Sequence, residues 1–376
     1  MHVERVEAIA VSVPREGTYR TSLSEATDHD DSTYDHVIVR VETDAGVTGT
    51  GEIAPAAYWP HGLTQSACLT LVEDHLAPLV EGRNLNRIPR IVEDAERALA
   101  GEPFPLYGID LALHDALGKA RELPVYDLLG GPDGDPTIDL HYSIGIKDAE
   151  SMGADAASAA ENGFDAFKVK VGGDDPKAER AGLRAIRETV PDARIRVDAN
   201  QAWTAEEAVR EIRALSEAAG GLVLVEQPVA YDDIVGLRRV REAVEPAILA
   251  DESCFSPRDA ADIARRNAAD ILNIKLAKTG GLARGRDVAT VADAHGLTCF
   301  VGSMVELGVG MAASAHFAAG TPTVTYPTGV LNSHAEHTLL KNADEWVPDG
   351  GTFTVPDRPG LGVVVDEDAL ERYRAG

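Results

Sequence analysis

Aromatic residues make up only 5% of this 376-residue chain, and lysine is scarcer than its basic partner, supplying eight of 35 Lys and Arg residues. No apolar run approaches the roughly 18 residues of a membrane-spanning helix, and the opening MHVERVEAIAVSV has no long apolar core behind basic residues. A soluble, cytoplasmic protein without a membrane partner is expected. Three cysteines, Cys68, Cys254 and Cys299, are an odd number without CxxC spacing, which excludes a disulfide framework and a thiolate zinc site. Positive charge is short as well: 62 Asp and Glu face 35 Lys and Arg, for a net charge of −27 spread along the chain. Nucleic acid, which is bound through basic patches, is therefore an unsuitable partner. So acidic and lysine-poor a composition points to work in high salt, where screening relieves carboxylate repulsion; an ordinary acidic protein is the alternative.

What is present is apolar content and length. Hydrophobic residues make up 44% of the chain, too many for a disordered polymer, and the length exceeds the roughly 250–300 residues of one core. Two domains, or one large barrel with an attachment, are expected. Val3 to Val13 and His36 to Thr43 alternate as strands do, and Asp44-Ala45-Gly46 supplies a turn before Val47 to Glu52. Long loops are expected over 17–33 and 53–61, and helical spacing from Leu63 to about Leu123. After the Gly/Pro/Asp cluster at 130–136, β-rich runs recur at 140–144, 167–171, 195–197, 222–225, 248–250, 271–276, 298–301 and 324–325. Helical segments separate most of them, with a capping box at Thr204 to Glu207 and a Ser256-Pro257 start. Strand and helix alternating in this way mean βαβ units and a parallel sheet. Eight strands with no Gly-rich phosphate loop after the first fit a closed barrel better than a dinucleotide fold.

The C-terminal strand ends of such a barrel build its active site. Lys168 and Lys170, Asp198 and Asn200, Glu226, Asp251 and Glu252, and Lys275 fall there on successive predicted strands. Three carboxylates in one mouth repel unless a cation joins them, and an all-oxygen set suits Mg²⁺, with Mn²⁺ as its substitute, better than Zn²⁺. A bound divalent ion stabilises the dianion left when a substrate carboxylate loses its α-proton. Lys170 and Lys275, across the barrel from each other, can serve as bases on the two faces, with Lys168 helping to keep Lys170 neutral. Lys278 is expected to be solvated. Taken singly, each acidic residue could instead cap a helix or pair with arginine.

FKVKVGG, VDANQAW, VEQP, LADES and NIKLAKTGG, in this order and spacing, resemble the enolase superfamily, in its muconate-lactonizing-enzyme subgroup. YGIDLALHDALGKARELPVYDLLGG and GSMVELGVGMAASAH extend the resemblance through almost the whole chain. It implies an α/β fold: a (β/α)7β TIM-like barrel over residues 135–335, with an N-terminal α+β capping domain over 1–125 that about 340–376 complete. It implies Asp198, Glu226 and Asp251 as metal ligands, Lys170 and Lys275 as the acid/base pair, and Lys168 as the auxiliary lysine. Val301-Gly302-Ser303 lacks the histidine that the mandelate-racemase subgroup uses as base there. Substrate contacts are expected from Tyr19, Tyr58 and Trp59 in the two cap loops and from Asn200, Ser303 and Glu306. Dipeptide epimerases carry Asp-x-Asp at the eighth strand, where this chain has Val324-Thr325-Tyr326-Pro327-Thr328. Proline-betaine epimerases use a tryptophan after the seventh strand, and Ser303-Met304-Val305 has none.

The expectation is a Mg²⁺-dependent isomerase that makes a metal-stabilised enolate from a small-molecule carboxylate. It is either a muconate-type cycloisomerase or a racemase or epimerase of an amino-acid derivative. A syn-dehydratase of a hydroxy acid and a non-catalytic binding protein are the alternatives. The resemblance also implies a homo-oligomer.

Overall fold

The computed structural model describes residues 1–15, 32–57, 59–99, 101–331 and 335–375. At the N-terminal end, β1 (Val3–Pro14), β2 (Thr33–Thr43) and β3 (Thr48–Ile53) form an antiparallel sheet in sequence order. The turn after β2 closes at Gly46, whose φ of 74° is the left-handed conformation that glycine adopts without cost. β2 begins three residues earlier than the alternation predicts, because Thr33 to Asp35 pair with Pro14 to Ser12.

One face of this sheet lies directly on the helix Pro103–Arg121. A Cβ added at Gly49 would stand 2.0 Å from Ala112 O, and one at Gly51 1.9 Å from Gly108 O. The small residues of GTG therefore let backbone approach backbone. Most of the helix is buried, and it carries two carboxylates that tie distant segments together. Asp110 accepts the N–H groups of Leu282 and Ala283 at 2.5 and 3.3 Å, capping the helix Leu282–Ala294. Asp115 accepts from Thr50 N and Leu361 N, each at 2.8 Å, and from Lys119 Nζ at 2.7 Å. This accounts for the motif IDLALHDALGK: its aspartates satisfy backbone donors that would otherwise be buried unpaired.

The strands β4 (Thr137–Asp139) and β12 (Thr352–Thr354) pair with each other. Between them runs a parallel sheet of β5 (Tyr142–Ile144), β6 (Ala166–Lys170), β7 (Arg194–Asp198), β8 (Leu224–Glu226), β9 (Ala247–Ala250), β10 (Ile271–Ile274) and β11 (Thr298–Val301), neighbours in sequence order. An eighth segment closes it: Val324 bridges Cys299 beside β11, and Thr328 bridges Leu140 beside β5, both in parallel. The fold is the α/β barrel that the repeat of strand and helix predicted, with the N-terminal cap that the resemblance implied. β10 stops at Ile274, short of the predicted Leu276, because Lys275 caps a one-turn helix, Leu276–Thr279. Both predicted helix starts form: Thr204 and Glu207 make the reciprocal capping box, and Ser256 accepts from Asp259 N ahead of Pro257. Inside the barrel, Leu224, Leu249, Ile271 and Phe300 form a dry layer with Tyr326 packed against it.

A buried histidine locks the barrel to the chain on either side of it. His316, on the helix Gly308–Ala319, stacks on Tyr126 at 5.3 Å and sits 6.2 Å from Trp346, and its Nδ1 accepts Tyr126 N–H at 3.2 Å. Burial pushes the imidazole down to about 4 from an ordinary 6.5. The neutral ring is the form that fits, so its contribution to stability is present above pH 6.5 and is lost as pH falls toward 4. The lost contribution is on the order of 3 kcal/mol. Urea unfolding at pH 7 and pH 4 should show the wild type losing more stability on acidification than His316→Gln by about that amount; equal losses would contradict the assignment.

Candidate active site

Side chains two apart on a strand share a face, so the inward layer holding Leu224, Leu249 and Ile271 continues upward into Glu226, Asp251, Asn273 and Lys275. Lys168 and Lys170 rise from β6, and Arg196 and Asp198 from β7. Asp198, Glu226 and Asp251 are each 1% exposed or less, and Lys168, Lys170 and Lys275 no more than 9%. Charge taken so far from water must be paired, and here it is.

Lys168 Nζ lies 2.8 Å from both Asp198 Oδ2 and Glu226 Oε2. Lys170 Nζ reaches Asp198 Oδ2 and Asn200 Oδ1, each at 2.6 Å. On the other side, Lys275 Nζ stands 2.7 Å from Asp251 Oδ2. Asn200 passes the chain of contacts on through its Nδ2, which donates to Glu252 Oε1 at 3.0 Å. Among the described residues, no three His, Cys, Asp or Glu side chains stand grouped as a ready metal cage; the carboxylates face ammonium groups instead. Glu226 Oε2 and both Asp251 carboxylate oxygens accept no well-directed hydrogen bond despite those ion pairs.

The charges are tuned unequally. Burial pushes the Lys170 amine below its ordinary value, with Asp198 opposing and Lys168 adding to the fall. Burial also disfavours the Lys168 and Lys275 ammonium groups, but Asp198 and Glu226 hold Lys168 well up, and Asp251 holds Lys275 up. Burial alone would raise Asp251, yet Lys275 and Lys278 bring it down to about 2. Glu252 is pushed up to about 8 by burial and by Asp251.

Backbone strain gathers at this mouth. Asn200, Gln201 and Gln227 have φ of 42°, 71° and 35°, conformations that side chains other than glycine hold only where their surroundings compel them. Gln227 shows the compulsion: its Oε1 accepts Asp251 N and Ser253 N at 2.9 and 3.2 Å, and its Nε2 donates to Val229 O and Ser253 Oγ. The Gln of VEQP thus fixes the backbone that presents Asp251.

Of the expected substrate contacts, Asn200 stands beside Lys170. Trp59 comes from the cap loop to lay its indole over Lys275, with Nζ 4.0 Å from the ring centre. Ser303 and Glu306 share the loop after β11 and bond to each other, Glu306 being buried. Tyr19 and Tyr58 lie outside the described residues. Lys278 is a correction: it is fully buried, not solvated, and pairs with Asp251 Oδ1 at 2.9 Å and with the Asp251 carbonyl. One turn after Lys275, it comes back under the same carboxylate because the chain coils there into the helix Leu276–Thr279. Asn273, whose Nδ2 donates to Glu226 Oε1 at 2.9 Å, was also missed; its place two residues before Lys275 was the available signal.

Residues 151–369 match the family described as enolase C-terminal domain-like, and residues 6–130 the mandelate racemase/muconate lactonizing enzyme N-terminal domain. The chain is 34% identical to the L-Ala-D/L-Glu epimerase of Bacillus subtilis over 97% of both proteins. A substrate-liganded structure of that epimerase superposes with a TM-score of 0.90 at 33% identity, over 97% of this chain and 99% of the other. Muconate cycloisomerase 1 of Rhodococcus opacus is 33% identical over 90% of both. A dipeptide epimerase from Enterococcus faecalis, solved with Mg and the dipeptide L-Leu-L-Tyr, gives a TM-score of 0.88 at 31% identity, over 96% of this chain and 99% of that one. With both halves of the architecture matched and these identities spanning nearly the whole length, the chain belongs to the mandelate racemase/muconate lactonizing enzyme family of the enolase superfamily, in its muconate-lactonizing subgroup.

Proposed function

We propose that this protein is a Mg²⁺-dependent racemase or epimerase of an amino-acid derivative whose amino group is not free, and that it removes the α-proton on one face and returns it on the other. The observation that carries this reading is the order of side chains around the mouth: Lys170, Asp198, Glu226, Asp251 and Lys275 at or just past the C-terminal ends of the consecutive strands β6 to β10. The two lysines stand four steps apart around the eight barrel positions, with the three carboxylate-bearing strand ends between them, so they flank the carboxylates from opposite sides. The relatives are an epimerase that handles L-Ala-D/L-Glu, a dipeptide epimerase and a muconate cycloisomerase. Of these chemistries, inversion at carbon uses both lysines.

Asp198, Glu226 and Asp251 would hold the Mg²⁺. They form an all-oxygen set, and three of their buried oxygens accept no directed hydrogen bond. When bound, the ion supplies a Lewis acid that offsets charge developing on the substrate carboxylate. Lys170, whose amine burial favours as neutral, takes the α-proton at Nζ and becomes an ammonium held by Asp198 and Asn200. Lys275, already an ammonium against Asp251, gives a proton from Nζ to the opposite face; the reverse sequence serves the other configuration. Proton exchange with solvent resets the pair. Lys168, paired with Asp198 and Glu226, keeps a fixed positive charge beside Lys170. The eighth strand, Val324 to Thr328, continues into Gly329-Val330-Leu331 and offers no carboxylate to a free substrate ammonium, which is why an acylated or otherwise neutral nitrogen is preferred. Muconate cycloisomerisation, which needs one lysine, is the second reading, favoured by the identity to the Rhodococcus enzyme.

Composition supports the setting: at a net charge of −27, the surface repels itself unless salt screens it. Work in the cytoplasm and as a homo-oligomer belongs to the same proposal; no helix among the described residues is long and apolar enough to cross a membrane.

Incubating N-acyl amino acids and proline derivatives with the enzyme and Mg²⁺ in D₂O should give deuterium at the α-carbon together with inversion, whereas lactonisation of muconates without any such inversion would favour the second reading. Lys275→Ala should lose inversion by about 10³-fold while keeping exchange from the configuration whose proton faces Lys170; full activity in that variant would overturn the two-base reading. The thermal midpoint should rise by several degrees between dilute and molar KCl. A flat or falling midpoint would contradict salt adaptation.

A further inference from the structure

A carboxylate that belongs to the cap reaches into the barrel. Glu52, near the end of β3, is completely buried. Its Oε1 accepts Leu307 N–H at 2.6 Å and contacts His36 Nδ1 at 2.8 Å, and its Oε2 accepts Gly310 N–H at 2.8 Å. Leu307 and Gly310 flank the start of the helix Gly308–Ala319, whose N-cap residue Leu307 has no side chain able to accept the orphan N–H groups. Glu52 therefore caps a barrel helix from another sheet, with its negative charge at the positive end of the helix.

That helix is the far anchor of the loop 302–307, which leaves β11. The loop is strained: Val305, a β-branched residue, has φ of 64°, a conformation it holds only under compulsion. Ser303 Oγ accepts Val305 N–H at 2.7 Å and donates to Glu306, which also accepts Met304 N–H at 3.0 Å. At the near end, Gly302 lies against the site. A Cβ there would stand 3.0 Å from Lys275 Cε and 2.7 to 2.8 Å from the Asn273 amide. The space behind the loop is equally tight, since a Cβ at Gly310 would meet Tyr107 Oη at 2.5 Å and Glu306 Cβ at 2.7 Å. The strained segment thus runs from the wall behind Lys275 to the two N–H groups that Glu52 holds. Lys170 is fixed by other means, through Asp198 and Asn200.

We propose that Glu52 is a positioning residue for one face of the reaction: through the loop 302–307 it sets Lys275 and leaves Lys170 untouched. The inference rests on the two-lysine reading above and adds to it the asymmetric dependence of one base on the cap.

The test is enantiomer-resolved α-proton exchange in D₂O with Mg²⁺, comparing wild type with Glu52→Gln, whose amide places a donor against one of the two N–H groups. Exchange from the configuration facing Lys275 should fall roughly tenfold or more, and exchange from the one facing Lys170 should stay within about twofold. Equal losses on both faces, or none, would overturn the proposal. Val305→Gly, which releases the strained backbone of the same loop without touching Asn273, should give the same one-sided loss, and serves if Glu52→Gln does not fold. Hydrogen–deuterium exchange of the backbone, which needs no turnover, separates the two claims. Peptides covering 302–311 should lose protection in the variant while those covering 166–171 keep it. Unchanged protection at 302–311 overturns the role of Glu52, whereas a wild type that exchanges no substrate proton overturns the two-base reading alone.

Discussion

Pairing of buried charge is the constraint on which the rest of this structure depends. Three carboxylates and the amino groups of four lysines, Lys168, Lys170, Lys275 and Lys278, are brought to one barrel mouth almost without exposure. Taking such groups from water costs several kcal/mol each unless partners meet them at close range. Each strand end answers that cost with one or two polar side chains at the same height. The supporting residues answer it again: Asn273 on Glu226, Gln227 on the backbone of Asp251, Asn200 between Lys170 and Glu252. A mouth assembled in this way holds its charges in place before a ligand arrives, which is what stabilising a developing negative charge demands.

Much of this was legible in the sequence for a simple reason. A parallel barrel repeats one strand and one helix, so residues that must meet at the mouth recur at steady intervals, and Lys170, Asp198, Glu226, Asp251 and Lys275 do. The inward layer below them follows from the same alternation of side chains. What stayed hidden depends on chain paths that periodicity does not encode. Lys278 reads as a solvated strand-end lysine until the short helix after Lys275 folds it under Asp251. Helical spacing over 63–123 says nothing of Asp110 and Asp115, which are buried and reach backbone donors 172 and 246 residues away. Glu52 reads as the end of a short strand, and the backbone donors it accepts from are more than 250 residues distant.

The cap does more than cover the barrel. Trp59 of the cap lies over Lys275, and the barrel loop whose far end Glu52 of the cap holds comes close to the same lysine at Gly302, so cap residues bear on one of the two lysines from two places. The other lysine is held by its own strand and the next. An enzyme that must treat two faces of a carbon alike would then be built from halves of different provenance, one belonging to the barrel and one shared with the cap. Scarcity of lysine sharpens the point: in a chain that keeps eight, four stand in this mouth. The ammonium can lose its proton at need, and arginine cannot.

The most direct test of the central claim is a crystal structure of the enzyme soaked with Mn²⁺ and a slowly turned-over N-acyl amino acid. One anomalous peak should appear about 2.0–2.3 Å from an oxygen of each of Asp198, Glu226 and Asp251, with the Nζ atoms of Lys170 and Lys275 on opposite sides of the bound α-carbon. A peak elsewhere, or both lysines on the same side of that carbon, would contradict it.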